Sequence, residues 1–152
     1  MQYLGMDVHA KSTVWCLLDA QGEVLREGHT PTTVTALTAL VRELGAESEL
    51  LAGQEVGTLT YLVHDTVTAA GTTLRSFNAQ HLRMIAASRK KTDRRDAYWI
   101  AKALQSGMSP HPVYVPTGEI RALRGLLSQR RVLHADYNRW RHRARAYLRA
   151  AG

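Results

Sequence analysis

The sequence contains one cysteine and no long run of hydrophobic residues. The lone Cys16 excludes an internal disulfide, and its position in an apolar, strand-like run predicts an ordinary buried residue. No apolar run is long enough to span a bilayer. The first residues also lack the cationic segment and apolar stretch of a signal peptide. These absences predict a soluble protein of the cytoplasm that has no membrane partner.

Acidic residues are scarce in the second half of the chain. Residues 1–74 contain three Lys or Arg against nine Asp or Glu, a net charge of −6. Residues 75–152 contain 17 against four, a net charge of +13. Sixteen of the 20 cationic residues are Arg, whose planar guanidinium matches phosphate geometry. This asymmetry predicts a polyanionic partner, DNA or RNA, for the second half.

The periodicity of the hydrophobic residues predicts an α/β fold. Alternating or β-branched runs indicate short strands over 3–8, 13–18, 23–28, 50–55 and 72–77. Helical spacing of apolar residues indicates helices over 34–44, 58–70, 81–87 and 93–106. Three antiparallel strands followed by alternating helix and strand predict a mixed five-stranded sheet flanked by helices.

Proline marks a change of character near residue 109. Three of the four prolines lie within 109–116, which predicts an extended connector. Thr117 then caps a final helix that runs almost to the C-terminus. The predicted organisation is therefore a compact domain over 1–108, a connector over 109–118 and a long basic helix over 119–152.

The final helix carries a heptad stripe, typical of a coiled coil. About thirty residues make a rod of roughly 45 Å, too long to be covered by so small a globule. We therefore expect this helix to pair with a second copy, giving a dimer or higher oligomer. The alternative is a seam packed on the chain's own body, with a solvated basic face. The seam residues are Leu123, Leu126, Arg130, Leu133, Tyr137, Trp140, Ala144, Tyr147 and Ala151.

Residues 89–97, with the sequence RKKTDRRDA, combine two carboxylates with five cations. Asp93 and Asp96 share one helical face, within reach of a common ion. Carboxylates that bind Mg²⁺ beside cations that bind phosphate suit metal-assisted phosphodiester chemistry. A simpler interpretation is that Thr92 caps the helix and the acids complement its dipole. The predicted nucleic-acid contacts are Lys90, Lys91, Arg94 and Arg95, with Arg131, Arg139 and Arg143 of the final helix.

Two further acids fall at the ends of predicted strands. Asp7 ends the first strand and Glu55 ends the fourth, so they meet at one sheet edge if those strands are neighbours. The helix that begins near Asp93 could deliver its own pair to that edge. Four such ligands could hold two divalent ions. Taken singly, Asp7 could be a turn residue and Glu55 a surface acid before Gly57.

Three segments resemble a known family. They are GMDVHAK at 5–11, QEVG at 54–57 and KTDRRDAYWIA at 91–101. Together they are similar to the N-terminal domain of the DEDD transposases of insertion sequences, the "one-ten" group. The KTDxxDA run is the most specific, and the similarity covers essentially the whole chain.

The resemblance implies an RNase H-like fold, similar to the RuvC Holliday-junction resolvase. It implies that Mg²⁺, for which Mn²⁺ can substitute, is the cofactor. It also implies nucleoid-associated DNA cutting and rejoining at the ends of an insertion sequence, guided by a structured RNA. Family members continue into a second domain with a serine nucleophile, so we expect this chain to be an excised or truncated catalytic half with little turnover alone. The implied catalytic and metal-binding residues are Asp7, Glu55, Asp93 and Asp96.

Two other functions stay open at this stage. One is a non-catalytic RNA- or DNA-binding and dimerisation module, in which the basic helix and its seam are the working parts. The other is a stand-alone junction-resolving nuclease, which needs only the metal site and a dimer. The acid quartet separates them, because a pure binding module has no need of carboxylates where phosphates approach.

Overall fold

The computed structural model describes residues 1–80, 82, 92–108 and 111–152. They form two compact units, Met1–Val115 and Pro116–Gly152. Within this described part, no helix combines the length and apolar character needed to cross a bilayer. Most of the helix predicted over 81–87 lies outside the described residues.

The first unit contains five strands and three helices among its described residues. The strands are β1 (Gln2–Val8), β2 (Ser12–Leu18), β3 (Val24–Pro31), β4 (Leu50–Glu55) and β5 (Thr73–Phe77), and the helices are α1 (Val34–Leu44), α2 (Thr60–Ala69) and α3 (Asp93–Gln105). Helix α2 begins two residues later than predicted. The reason is a tight turn in which the Thr60 hydroxyl accepts from the Gly57 backbone N–H and donates to the Gly57 carbonyl.

The strands form one mixed sheet in the order β3-β2-β1-β4-β5. Strand β2 pairs antiparallel with both β1 and β3, whereas β4 pairs parallel with both β1 and β5. The turn after β2 is stabilised by the Asp19 carboxylate, which accepts hydrogen bonds from the backbone N–H groups of Gln21 and Glu23. The predicted mixed five-stranded sheet is confirmed. The first and fourth strands are neighbours, which is the condition under which Asp7 and Glu55 meet.

The sheet buries side chains on both faces. Its first face packs against α1 and α2 in the larger core cluster, whose strand members include Leu4, Met6, Leu17, Ala52 and Leu74. Its second face packs against α3, where Ala97, Ile100, Ala101, Ala103 and Leu104 are buried. Cys16 is buried beneath α3, as predicted. Because side chains alternate along a strand, odd-numbered residues of β1 point towards α3.

Two glycines allow α3 to lie directly on the sheet. Gly5 of β1 and Gly53 of β4 are register partners. A Cβ atom at Gly5 would overlap the Ala97 carbonyl and lie 2.5 Å from the Ala101 nitrogen. A Cβ atom at Gly53 would lie 2.8 Å from Leu104 Cδ1. The absence of two side chains thus sets the depth at which α3 packs.

The second unit consists of helix α4 (Gly118–Ala150), whose 33 residues make a rod of roughly 50 Å. Thr117 is its N-cap residue, as predicted, although its side chain makes no capping hydrogen bond. None of the helix residues is buried. Large apolar side chains of the seam are open to solvent, including Leu126 at 65% and Leu133 at 68% exposure.

Replacing Gly5 by Ala should destabilise the first unit. The added methyl group meets backbone atoms of α3, which cannot turn away as a side chain can, so the helix must shift. We expect a loss of about 1–3 kcal/mol in the free energy of unfolding, measured by urea denaturation. The matched control is Gly57→Ala, because a Cβ atom there meets nothing within 4 Å. Equal stability of the two variants would contradict this account of helix packing.

Candidate metal centre

Strand β1 places Asp7 on the face of the sheet that α3 covers. Asp7 is two residues after Gly5, so the strand period puts both on the same side. Its side chain is 17% exposed. The carboxylate therefore lies at the boundary between the packed helix and solvent.

The position of Glu55 relative to Asp7 follows from the pairing of β4 with β1. Gly5 pairs with Gly53 and Met6 with Gln54, so Glu55 lies one step beyond, beside Asp7. Adjacent strands are about 4.8 Å apart, and the two side chains share a face. The sequence analysis placed these acids at one sheet edge, and the parallel pairing of β1 and β4 brings them there.

The first turn of α3 supplies Asp93 and Asp96. Thr92 is the N-cap, and its hydroxyl accepts a 3.4 Å hydrogen bond from the Arg95 backbone N–H. The simpler interpretation of this run is therefore correct as local structure, because the cap forms and two acids lie at the positive end of the helix dipole. That role is compatible with metal binding, since the same turn faces Asp7.

His9 joins Asp7 to Asp93. Its Nε2 lies 3.1 Å from Asp7 Oδ2 and 3.4 Å from Asp93 Oδ2. One ligand atom from each of the three residues lies within 4.8 Å of the other two. The sequence analysis did not select His9. The available signal was its position two residues after Asp7, which places both side chains on one side of an extended chain.

Two threonines fix the turn that carries His9. The Thr32 hydroxyl donates to the His9 carbonyl at 2.8 Å. It therefore accepts from the Thr13 hydroxyl, 2.9 Å away. Thr13 is fully buried and Thr32 is 8% exposed, so this chain of hydroxyl groups lies inside the protein. His9 is thus attached to the core through its backbone.

The pKa of Asp7 is raised above the ordinary value for an aspartate. Burial is the largest cause, because it disfavours the charged form. The negative charges of Asp96, Asp93 and Glu55 raise it further, while His9 opposes them. The other three sequence-predicted acids therefore all lie close enough to Asp7 to act on its charge.

The basic residues around α3 have different environments. Arg94 forms a two-point ion pair with Glu27, in which its Nε donates to Oε2 at 2.6 Å and its Nη2 contacts Oε1. This pair links α3 to the edge strand β3, and Arg94 stays 72% exposed. Arg95 is exposed. Lys90 and Lys91 lie outside the described residues.

The three predicted contacts on α4 are exposed. Arg139 forms a 3.2 Å ion pair with Asp136, which lies three residues earlier on the same helix. Arg143 stacks over Trp140, with 5.2 Å between its guanidinium carbon and the ring centroid. Arg131 faces solvent. Their contact with nucleic acid stays a prediction.

A protein-family model matches the stretch of chain that contains these residues. The family model DEDD_Tnp_IS110, described as a transposase, matches residues 4–151. The chain belongs to the IS110 family of DEDD transposases. The predicted family is thereby confirmed. Comparison with curated protein sequences gave no match.

Solved structures with partial similarity come from proteins of other kinds. EutJ, an ethanolamine utilization protein from Carboxydothermus hydrogenoformans, is 18% identical with a TM-score of 0.41, over 58% of this chain and 41% of its own. The inorganic polyphosphate/ATP-glucomannokinase from Arthrobacter sp. strain KM is 15% identical with a TM-score of 0.40, over 60% and 49%. The ROK hexokinase from Thermus thermophilus is 14% identical with a TM-score of 0.37, over 62% and 39%. This chain thus spans less than half of each of these structures.

Replacing Asp7 by Asn should stabilise the metal-free IS110-family domain at neutral pH. Because the folded-state pKa of Asp7 is raised, its contribution to stability is full below the ordinary value of 3.8 and is lost as pH rises through the folded-state pKa. An Asn side chain does not ionise, so the variant does not lose stability in this way as the pH rises. The variant should therefore unfold at higher urea concentration than the wild type at pH 7 with EDTA present.

The difference between the two proteins should vanish below about pH 3.8, where Asp7 is protonated in both states. Asp136→Asn, which removes an exposed carboxylate on α4, is the control and should change stability little. A destabilised Asp7→Asn variant at pH 7 would contradict the crowding of carboxylates around Asp7.

Proposed function

We propose that this chain is the RuvC-like catalytic domain of an IS110-family transposase, which cleaves and transfers DNA strands with the help of a divalent metal ion. The observation that carries the proposal is the meeting of Asp7, Glu55, Asp93 and Asp96 at one sheet edge. The catalytic domain corresponds to residues 1–108, followed by a connector over 109–118 and the long helix over 119–152.

An RNase H-like fold is part of this proposal. It is supported by an antiparallel three-stranded meander that continues into two parallel strands. It is supported further by the position of the acids, which lie on β1, on the neighbouring β4 and on a helix packed across both. The relative positions of these carboxylates are therefore fixed by the packing of the sheet and the helix, and not by the conformation of a single loop.

The donor set suits a hard divalent cation. Carboxylate oxygens are the ligands that Mg²⁺ prefers, and Mn²⁺ accepts the same ligands. Asp7, Glu55, Asp93 and Asp96 are the residues that would hold it. When bound, such an ion polarises a phosphate and stabilises the leaving oxygen.

The protein's own groups favour the approach of a phosphate to this edge. The N-terminus of α3 carries the positive end of the helix dipole, which attracts anions. Arg95 adds an exposed cation in the same turn. Arg94 is paired with Glu27, which offsets its charge, although its side chain stays 72% exposed. These groups offset the repulsion between carboxylates and DNA.

DNA, a structured guide RNA and a second copy of the chain are the proposed partners, and the bacterial nucleoid is the proposed location. Phosphate contacts from arginines on α3 and α4 would position either nucleic acid without reading its sequence. The exposed seam of α4 supports self-association, since large apolar side chains recur along one stripe. That stripe alone would also suit a non-catalytic binding module.

Replacing Glu55 by Gln separates these functions. In the catalytic domain, Mg²⁺-dependent nicking of a branched DNA should fall by at least about 100-fold, because a ligand carboxylate is lost. Binding of the same DNA without metal should be unchanged or tighter, since the substitution removes a negative charge. The measurements are a gel-based nicking assay and fluorescence anisotropy of labelled DNA.

Glu49→Gln is the matched control, because Glu49 precedes β4 at the opposite end of the same strand. It should leave Mg²⁺-dependent nicking unchanged. An unchanged Mg²⁺ affinity in Glu55→Gln, measured by calorimetry, would overturn the catalytic proposal in favour of a binding module. Efficient multiple-turnover nicking by the wild-type chain alone would favour the stand-alone nuclease, because a transposase catalytic half is expected to turn over little by itself.

Aspartate in the α4 seam should disrupt self-association. Leu126 and Leu133 are 65% and 68% exposed in the single chain, and pairing two seams buries both. Burial of apolar surface contributes about 25 cal/mol per Å², and a buried carboxylate opposes it. Leu126→Asp and Leu133→Asp should therefore shift micromolar protein from dimer to monomer in multi-angle light scattering.

Gln129→Asp introduces the same charge off the seam and should leave the dimer intact. A wild-type chain that is monomeric at these concentrations would refute pairing through α4. So would a dimer that persists in both leucine variants.

A further inference from the structure

His9 lies where a ligand to the proposed metal centre is expected. Its Nε2 is 3.1 Å from Asp7 Oδ2 and 3.4 Å from Asp93 Oδ2. Ligands at right angles around an octahedral ion, with bonds of about 2.1 Å, are roughly 3.0 Å apart. Both distances are close to that separation. Both contacts of His9 Nε2 are therefore compatible with neighbouring ligands on one ion, and the two carboxylate oxygens lie within 4.8 Å of each other.

The position of His9 is built into the fold. The hydroxyl chain from Thr13 through Thr32 ends at the His9 carbonyl. The Thr32 backbone N–H also donates to the Lys11 carbonyl at 3.1 Å, and the His9 N–H donates to the Ser12 carbonyl. These bonds hold both ends of the turn over 9–11. The imidazole is thus presented by a fixed turn, next to a carboxylate of the same strand.

We propose that His9 Nε2 is a direct ligand of the catalytic metal ion, and that this nitrogen makes the centre favour Mn²⁺ over Mg²⁺. The inference rests on the proposed function, since it adds a ligand to the same centre. Mg²⁺ strongly prefers oxygen ligands and dehydrates reluctantly. Mn²⁺ also prefers oxygen ligands, but as a first-row transition metal it tolerates an imidazole nitrogen better than the more strongly hydrated Mg²⁺ does.

The distances alone also suit a different arrangement. A protonated imidazole can lie between two carboxylates as a counter-ion and leave when a metal ion arrives. In that arrangement no nitrogen lies in the coordination sphere, and loss of His9 affects Mg²⁺ and Mn²⁺ alike. The two arrangements therefore differ in a quantity that can be measured directly.

The test uses the full 152-residue chain with Mn²⁺ as the probe. Electron spin-echo envelope modulation should detect ¹⁴N coupled to bound Mn²⁺, and His9→Ala should abolish that coupling. Titration calorimetry should show Mn²⁺ binding weakened about 10- to 100-fold in His9→Ala, a range seen when groups that support a metal site are removed. Mg²⁺ affinity should change by less than about threefold, because Mg²⁺ depends on the carboxylates.

His29→Ala is the matched control. His29 lies in the same cross-strand row as Asp7, through the pairs Asp7 with Val14 and Val14 with His29. It is two strands away, roughly 10 Å, and should not couple to the ion. This variant should retain both the ¹⁴N coupling and the Mn²⁺ affinity of the wild type.

Two results would overturn the inference and leave the proposed function intact. They are a ¹⁴N coupling that persists in His9→Ala, and an equal loss of affinity for both ions. A different result would overturn both proposals. This is Mn²⁺ binding that is unchanged by Asp7→Asn and by Asp93→Asn, with circular dichroism showing that the variants are folded.

Discussion

The close contact between α3 and the two glycines of the sheet is the constraint on which the candidate site depends. Without side chains at Gly5 and Gly53, the helix backbone lies against β1 and β4. A helix held farther out by one methyl layer would carry Asp93 and Asp96 away from Asp7. The distance between carboxylates on separate elements is therefore set by packing at two glycines, each two residues before an acid of the candidate site. This packing brings acids that are far apart in sequence to one edge of the sheet.

That arrangement has an electrostatic cost, visible in the raised pKa of Asp7. Asp93, Asp96 and Glu55 each place negative charge near Asp7 and so disfavour its charged form, while His9 opposes them. The positive end of the α3 dipole lies beside the same carboxylates. A bound cation would relieve the remaining repulsion. The crowding of carboxylates thus lowers the stability of the metal-free protein, and pKa shifts of this kind are concentrated at functional sites.

The sequence predicted four of the strands closely because they are short, apolar and separated by clear turn signals, whereas β3 runs three residues beyond its predicted end. The predicted limits of α1 and β4, 34–44 and 50–55, agree with the structure. The meeting of Asp7 and Glu55 required only that two strands be neighbours. His9 was not predicted, because its role depends on a turn fixed by Thr32, 23 residues away. The Arg94–Glu27 pair was missed for the same reason, since it joins residues 67 apart.

The edge strand β3 also has a consequence for aggregation. Among the described residues, β3 pairs only with β2, so one side of its backbone is open to another strand. Val24 and Leu25 are about half exposed, which would invite such pairing. Arg26 and Glu27 are held in ion pairs with Glu43 and Arg94, and Pro31 lacks an N–H group at the end of the strand. Fixed charges and a proline on an open edge hinder strand addition, so this sheet is protected against growing into a larger one.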